Sequence, residues 1–270
     1  MPVKPEENYL DINRDSWNKR VETHLHSAFY DLQGFKAGRN SLTPAELEFL
    51  GDVHEKKILH LQCHFGQETM SLSRMGAIST GVDLSDKAID AARSLASELR
   101  LSSKFICADL YSLPQHLEER FDCVYTSFGT IGWLPDIEKW VQIIKHFLKP
   151  GGSFVFVDFH PVIWMFDDNL EKIIYSYFQR EAIVEEETGT YADPKAPFGT
   201  TTVTWNHSLS QVLSALLTAG FQLEKFKEYE SSPFNCFRNM EEISPGQFQI
   251  RHLQDKLPMV YALRARRPEE

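Results

Sequence analysis

No apolar run in these 270 residues reaches the roughly 18 needed to span a bilayer, so no membrane partner is expected. The opening stretch, MPVKPEENYLDINRDSWNKR, lacks the apolar segment that heads a secreted chain, and a cytoplasmic location is expected. The four cysteines, Cys63, Cys107, Cys123 and Cys236, form no C-x-x-C pair. Three of them lie in or beside apolar, strand-like runs, where buried free thiols in a reducing compartment are expected. Positive charge is also scarce: 28 basic residues face 38 acidic ones, a net charge of −10. Holding nucleic acid requires neutralising several phosphates, and the one basic cluster, RARRP, runs straight into acids, so a nucleic-acid partner is not expected. The ten histidines are scattered without an H-E-x-x-H pattern. His24 and His26 stand two apart, which in a helix places them on different faces, so no metal site is expected.

With 42% hydrophobic and 24% charged residues, the composition is that of a soluble globular protein. Its length fits one α/β domain, with or without a cap. From Lys57 onward, β-rich runs alternate with helical ones. KKILHLQ is followed by ETMSLSRMG, ISTGVDLS by DKAIDAARSLASEL with Ser85 or Asp86 as its cap, and then SKFICAD and FDCVYTSF. In DIEKWVQIIKHFL the apolar residues Ile137, Val141, Ile144 and Leu148 recur three or four apart, and KPGGSFVFVDF turns through glycines into a fifth strand. SLSQVLSALLTAGFQLEKFKEY supplies a further helix and strand, and LPMVYALRARR a last edge or inserted strand. Continuous apolar strands suit a sheet covered on both faces, and the alternation predicts a doubly wound, mostly parallel α/β sandwich.

Three regions break this rhythm. Residues 1–56 are aromatic-rich and largely helical in pattern, while 159–205 and 230–257 are turn-rich insertions after the fifth strand and beyond. Open sheets build ligand sites past the carboxyl ends of their strands, so these pieces are read as a lid and an acceptor pocket, or else as surface elaboration.

The chemistry concentrates around ILHLQCHFGQET, an apolar strand entering a turn and leaving as a helix. About 20 residues further on, GVDLS ends the second strand in Asp83, an acid placed to hold both hydroxyls of a ribose. CADLYSLP sets Asp109 just past the third strand, towards an adenine edge. Cys63 and His64 are adjacent in the chain, project differently, and have no third group to orient them, so they make a poor nucleophile–base pair.

On these residues the chain resembles the class I S-adenosylmethionine-dependent methyltransferase family, closely over 57–158 and by strand order beyond. The family's first motif reads approximately D-x-G-x-G-x-G. HLQCHFG matches it with His60 in place of the acid, Gln62 and His64 in place of glycines, and Gly66 retained. Gln62 and His64 are expected to keep ordinary φ values with side chains turned from the ligand, or else to fill the pocket. The LKPGG turn and the AGF passage also match. The resemblance implies a Rossmann-like sandwich with a seven-stranded sheet, an N-terminal helical lid over 1–56, and a methyltransferase core over 57–270. It implies S-adenosyl-L-methionine as cofactor, held by Tyr9, Trp17, Gln62, His64, Gly66, Asp83, Leu84, Asp109, Leu110 and Ser127.

The implied reaction is an in-line displacement on an already activated methyl group, in which the protein aligns the acceptor and excludes water. Ser127, Phe128 and Trp133 are expected to line the acceptor side, with Asp158 and His160 as polar candidates and His160 as the one base. Trp164, Tyr175, Tyr177 and Trp205 are aromatic enough to line a cavity or simply to pack, and His207 precedes a helix capped by Asn206 or Ser208. A small organic acceptor and a monomer or homodimer are expected. Two alternatives stay open. An NAD-dependent oxidoreductase is poorly served by the turn and has no Tyr-x-x-x-Lys pair. A non-catalytic cofactor-binding or protein-interaction module would account for the altered QCHFG loop.

Overall fold

The computed structural model describes residues 4–269. Its centre is a seven-stranded sheet of order β3-β2-β1-β4-β5-β11-β8. The first strands are β1 (Lys57–Leu61), β2 (Ile78–Asp83), β3 (Lys104–Cys107), β4 (Phe121–Thr126) and β5 (Leu148–Phe159), all pairing in parallel. β8 (Gln222–Tyr229) takes the far edge, and β11 (Val260–Arg266) slots between β5 and β8, antiparallel to both. The closing strand is thus inserted, one of the two arrangements the sequence allows.

Successive side chains of a strand point to opposite faces, and β1 shows how both are filled. Leu59 and Leu61 enter a core with Trp140 and Ile144 of α6 (Ile137–Phe147) and Val212 of α7 (Leu209–Thr218). Ile58 faces the other way, joining Leu72 of α4 (Gln67–Arg74) and Phe49 and Leu50 of α3 (Pro44–Leu50). α5 (Asp86–Glu98) covers β2 and β3 through Ile89, Ala92 and Leu95. Ser85 caps α5, accepting from Ala88 N, and Ser208 caps α7 in a reciprocal box with Gln211.

The irregular segments gather over the carboxyl ends of these strands. α1 (Tyr9–His26) and α2 (Leu32–Lys36) precede the sheet. The first insertion folds into the hairpin β6 (Ile183–Thr188) and β7 (Gly199–Thr204), the second into β9 (Met240–Ser244) and β10 (Gln247–Ile250). Asn13 of α1 fixes the first hairpin: its carboxamide donates to Val203 O at 2.8 Å and accepts from Val203 N at 2.9 Å. At the other side of α1, Asn18 Oδ1 accepts from Ser85 Oγ at 2.6 Å, and Asn18 Nδ2 donates to Asp86.

Candidate active site

The loop after β1 carries the first finding. Gln62, His64 and Gly66 have φ values of 55°, 49° and 79°. The chain enters the left-handed region at alternate residues, although only Gly66 is free of the Cβ penalty there. Ordinary φ values at Gln62 and His64, expected from the sequence, are therefore corrected. Compensation comes from the contacts these residues make. Gln62 Nε2 donates to Thr130 O at 2.8 Å, and His64 N donates to Asp83 Oδ2 at 2.7 Å. Gly66 is required for space as well, since a Cβ there would lie 2.4 Å from the ring of Phe105.

Asp83 stands where a ribose-binding acid is expected and also braces the loop, its second oxygen accepting from Ser85 N at 2.8 Å. Burial pushes its carboxyl up to about 6 against the pull of these N–H donors. Leu84 follows, half-buried. Asp109 caps the short helical turn Leu110–Gln115 by accepting from Ser112 N, and Leu110 is sealed in the core beside α6. Tyr9 lies close enough to feel Asp109. Its hydroxyl is pushed up to about 12, chiefly by burial, and its ring meets Trp205 edge-on at 5.3 Å.

The side chain of His64 does not turn to solvent. Its Nε2 lies 2.9 Å from His24 Nδ1, and His24 Nε2 lies 2.9 Å from Thr190 Oγ1, so one chain of ring nitrogens ties loop, α1 and insertion together. Trp17 packs on His64 and on Trp133, each at 5.2 Å between ring centres. Arg20 lies over both tryptophans and pairs with Glu187 at 2.7 Å. Asn13, Trp17, Arg20 and His24 recur at i, i+4, i+7 and i+11 and form one stripe of α1 facing the loop. The sequence places Trp17 in the lid and raises His24 only as a possible metal ligand, while Arg20 of the same face is not among its candidates.

Eight buried side-chain polar atoms lack a protein partner among the described residues, some of them, such as Trp140 Nε1 and Tyr261 OH, in the hydrophobic core. Three more of them, Arg20 Nε, Gln62 Oε1 and His64 Nδ1, border this loop. Together they offer a cation, an acceptor and a ring nitrogen, which suits a zwitterionic group such as the amino-acid end of the expected cofactor. Asp83 would take the ribose. The residues present fit that cofactor.

Among the residues expected to face an acceptor, Asp158 is buried and spends its carboxylate on backbone donors, Phe159 N at 2.7 Å and Gly129 and Thr130 N, which fixes the turn after β4. Burial raises it to about 6. His160 Nε2 lies 2.9 Å from Glu228 Oε1, and burial lowers its basicity more than Glu228 restores it. Trp133 Nε1 donates to Gly129 O at 2.8 Å. Ser127, half-buried at the end of β4, has its Oγ 3.5 Å from His60 Nε2. Phe128 meets Phe159 and Phe234. His207 Nε2 donates to Leu134 O at 2.7 Å, while Trp164 packs on Phe159 and Phe237. Cys63 is buried and its thiol is held far above the ordinary value, chiefly by burial, which removes it as a nucleophile.

A cleft of about 280 Å³ opens at the opposite end of the sheet, among Lys56, Asp122, Lys149, Gly151, Gly152 and Arg264. Two of its cations are already paired with acids: Lys149 Nζ lies 2.6 Å from Asp122 and Arg264 Nε 3.0 Å from Glu224. It has no part in the loop's chemistry.

Residues 59–156 match the family model described as Methyltransferase domain. The chain is similar to a Ubiquinone biosynthesis O-methyltransferase of Coxiella burnetii (strain Dugway 5J108-111), 29% identical over 154 residues, 55% of this chain and 58% of that one. It thus spans under two thirds of that relative's length. In three dimensions it is similar to an S-adenosylmethionine-dependent methyltransferase from Mesorhizobium loti. The TM-score is 0.56 with 21% identity, covering 86% of this chain and all of the other. The DhpI–SAH complex gives a TM-score of 0.59 with 16% identity over 98% and 99%. These likenesses bear out the resemblance to class I methyltransferases and the Rossmann-like fold.

Proposed function

We propose that this chain, with its methyltransferase domain over residues 59–156, transfers a methyl group from S-adenosyl-L-methionine to a small-molecule acceptor. The observation that carries this reading is the loop itself. Gln62, His64 and Gly66 trace a backbone that a glycine motif would trace unstrained, and Asp83 closes it from the end of β2. Retaining that path without the glycines costs about 1–2 kcal/mol at each of the two side-chain-bearing residues. A loop with no ligand to cradle has no need of it. When bound, the cofactor supplies an activated methyl group and a good leaving group.

The residues of this chain bind, orient and exclude water. Asp83 and Leu84 hold the ribose side, Tyr9, Asp109 and Leu110 border the base, and Arg20, Gln62 and His64 surround the amino-acid end. Trp17 and Trp133 close over the reacting groups, with Ser127 and Phe128 on the acceptor side. In this reading Asp158 and His160 act as positioning residues, because their polar atoms are engaged within the protein. The likeness to an O-methyltransferase supports oxygen as the atom methylated. The acidic surface favours a small acceptor over nucleic acid, in the cytoplasm, with a monomer or homodimer equally compatible.

A second reading has one observation in its favour: Trp17, His24, His64 and Trp133 pack on one another over the loop, as in a binding module that has lost turnover. Calorimetric titration with S-adenosylmethionine, S-adenosylhomocysteine and NAD separates the two. Saturable binding of the first pair, abolished in Asp83→Ala, supports the cofactor site. Absence of binding to folded protein would overturn it.

A further inference from the structure

α1 is clamped to the first insertion at three places along its length. Asn13 holds the backbone of Val203 in β7 through both arms of its carboxamide. Two turns on, Arg20 Nη2 donates to Glu187 Oε2 of β6 at 2.7 Å and to Thr200 Oγ1 of β7 at 3.3 Å. One turn further, His24 Nε2 lies 2.9 Å from Thr190 Oγ1, in the loop that joins the two strands. Thr190 Oγ1 also accepts from Ala192 N, which fixes that loop. From Asn13 to His24 the helix advances about 16 Å. Asn13, Arg20, His24, Thr190, Thr200 and Val203 are all buried. The hairpin β6–β7 therefore parts from α1 only by opening three buried joints at once.

Three further ties run from this unit to loops at the carboxyl ends of the strands. Asn18 reaches Ser85 and Asp86, just past Asp83 at the end of β2. His24 Nδ1 lies 2.9 Å from His64 Nε2, and Trp17 packs on His64, in the loop after β1. Trp17 packs on Trp133, and Trp205 N donates to Gly132 O at 2.7 Å, both in the turn after β4. The first two loops are those read above as holding the cofactor, and the third borders the acceptor side. The chain can bend where the unit ends. Ser27, closing α1, is extended with ψ 148°, and segments 179–182 and 205–208 flanking the hairpin carry no helix or strand. Beyond these points the chain is pinned again, by Gln67 to Tyr30 O and by His207 to Leu134 O.

We propose that α1 and the hairpin β6–β7 lift from the sheet as one lid, so that a cofactor held under α1 also closes the hairpin over the acceptor side, with Asn13 as the positioning residue that joins the two. The cofactor half of this rests on the methyl-transfer reading above; the single-lid half does not. The seam that opens is the one with the weaker joints. Between α1 and the hairpin, the N–H and C=O of Val203 and a buried guanidinium would lose their partners, and buried groups left unpaired are the costly ones. Between α1 and the loops, the polar joints run from side chain to side chain and lie partly or wholly within reach of solvent, which replaces them at lower cost. Two sites under one lid are coupled in both directions: whatever binds at either favours the closed state and so tightens the other. An acceptor is then enclosed once the cofactor is in place, with water excluded from both together.

The test is amide exchange of the full chain, read by mass spectrometry with and without S-adenosylhomocysteine. In the free protein, segments 9–26 and 183–204 should share one limiting protection, below that of β1 and β4. Bound S-adenosylhomocysteine should slow exchange in both by a common factor of about 5-fold or more. Asn13→Ala should keep the slowing in α1 and lose it in the hairpin. A joint that only supported the fold would instead raise hairpin exchange equally with and without ligand, leaving their ratio unchanged, and that result would overturn the proposal. Asn13→Asp, which keeps the acceptor for Val203 N and loses the donor, should fall between. Glu187→Ala, at an exposed position, removes the Arg20 joint and should give the same loss in weaker form, even where Asn13→Ala fails to fold. Slowing confined to α1 in the wild type would overturn the coupling, and unequal protection of the two segments in the free protein would overturn the single lid. Equal protection with no binding by folded wild type would leave the single lid standing and defeat the cofactor half together with the cofactor reading.

Discussion

Asn13 and Val203 are joined by two hydrogen bonds through a single carboxamide, so α1 is paired to the edge of β7 almost as another strand would be. Asn13 is buried, and nothing else in α1 grips the insertion's backbone in this way. In Asn13→Ala both the N–H and the C=O of Val203 lose their partner, at a cost of about 1–3 kcal/mol for each group left buried. Amide exchange at Val203 and along α1 should accelerate far more than exchange in β1, β4 and β5. Uniform acceleration across the sheet would show instead that α1 is part of the global folding unit.

The strain at His64 sets up a competition that His64→Gly resolves. Glycine removes a left-handed penalty of about 1–2 kcal/mol, but it also removes the link from the loop to His24 and the packing on Trp17. The expected outcome is a global stability changed by less than about 1 kcal/mol, together with clearly faster exchange in α1. A large loss of global stability would mean that the ring contributes more than its strain costs.

A cleaner measure of left-handed strain lies on the surface. Arg100 is exposed, has φ 54°, and sits just past the end of α5, where Leu101 N reaches back to Ala96 O at 2.9 Å. This is the position where helices favour glycine. Arg100→Gly should raise stability by about 1 kcal/mol, read as an upward shift in the urea midpoint with unchanged slope.

Acid should unfold the chain partly through its buried imidazoles. Burial lowers both His24 and His60 from the usual histidine value to about 3. Between about pH 6.5 and 3 the unfolded chain binds protons that the folded chain refuses, so stability present at neutrality is lost as pH falls. Asp83 and Asp158, both raised to about 6, work in the opposite sense over the upper part of that window. Comparing wild type with His60→Gln isolates the imidazole. The variant should show a shallower fall of urea midpoint between pH 6.5 and 4, and an identical slope would refute the assignment.

Much of this molecule is legible in the sequence because it depends on periodicity and spacing. The alternation from Lys57 onward anticipates the sheet, and the acid ending GVDLS anticipates Asp83 at the mouth of the loop. Two things were hidden for physical reasons. A backbone conformation is written plainly only when glycine occupies it, and at Gln62 and His64 the left-handed turn is held by contacts with Thr130, Asp83 and His24, which are remote in sequence. The stripe Asn13–Trp17–Arg20–His24 mixes polar and aromatic residues, so no apolar pattern announces that it is the buried face of α1.

The position of β11 between β5 and β8 bears on how the chain is made. During synthesis β5 emerges long before Val260–Arg266, and until those residues arrive β8 has no neighbour in the sheet. A nascent chain halted near residue 259 would carry a bare, apolar β5 flank, which is the type of surface that recruits strands from other molecules. Assembly on the ribosome is therefore held open at its middle. The vulnerable interval ends when a strand translated after β8 slides in ahead of it.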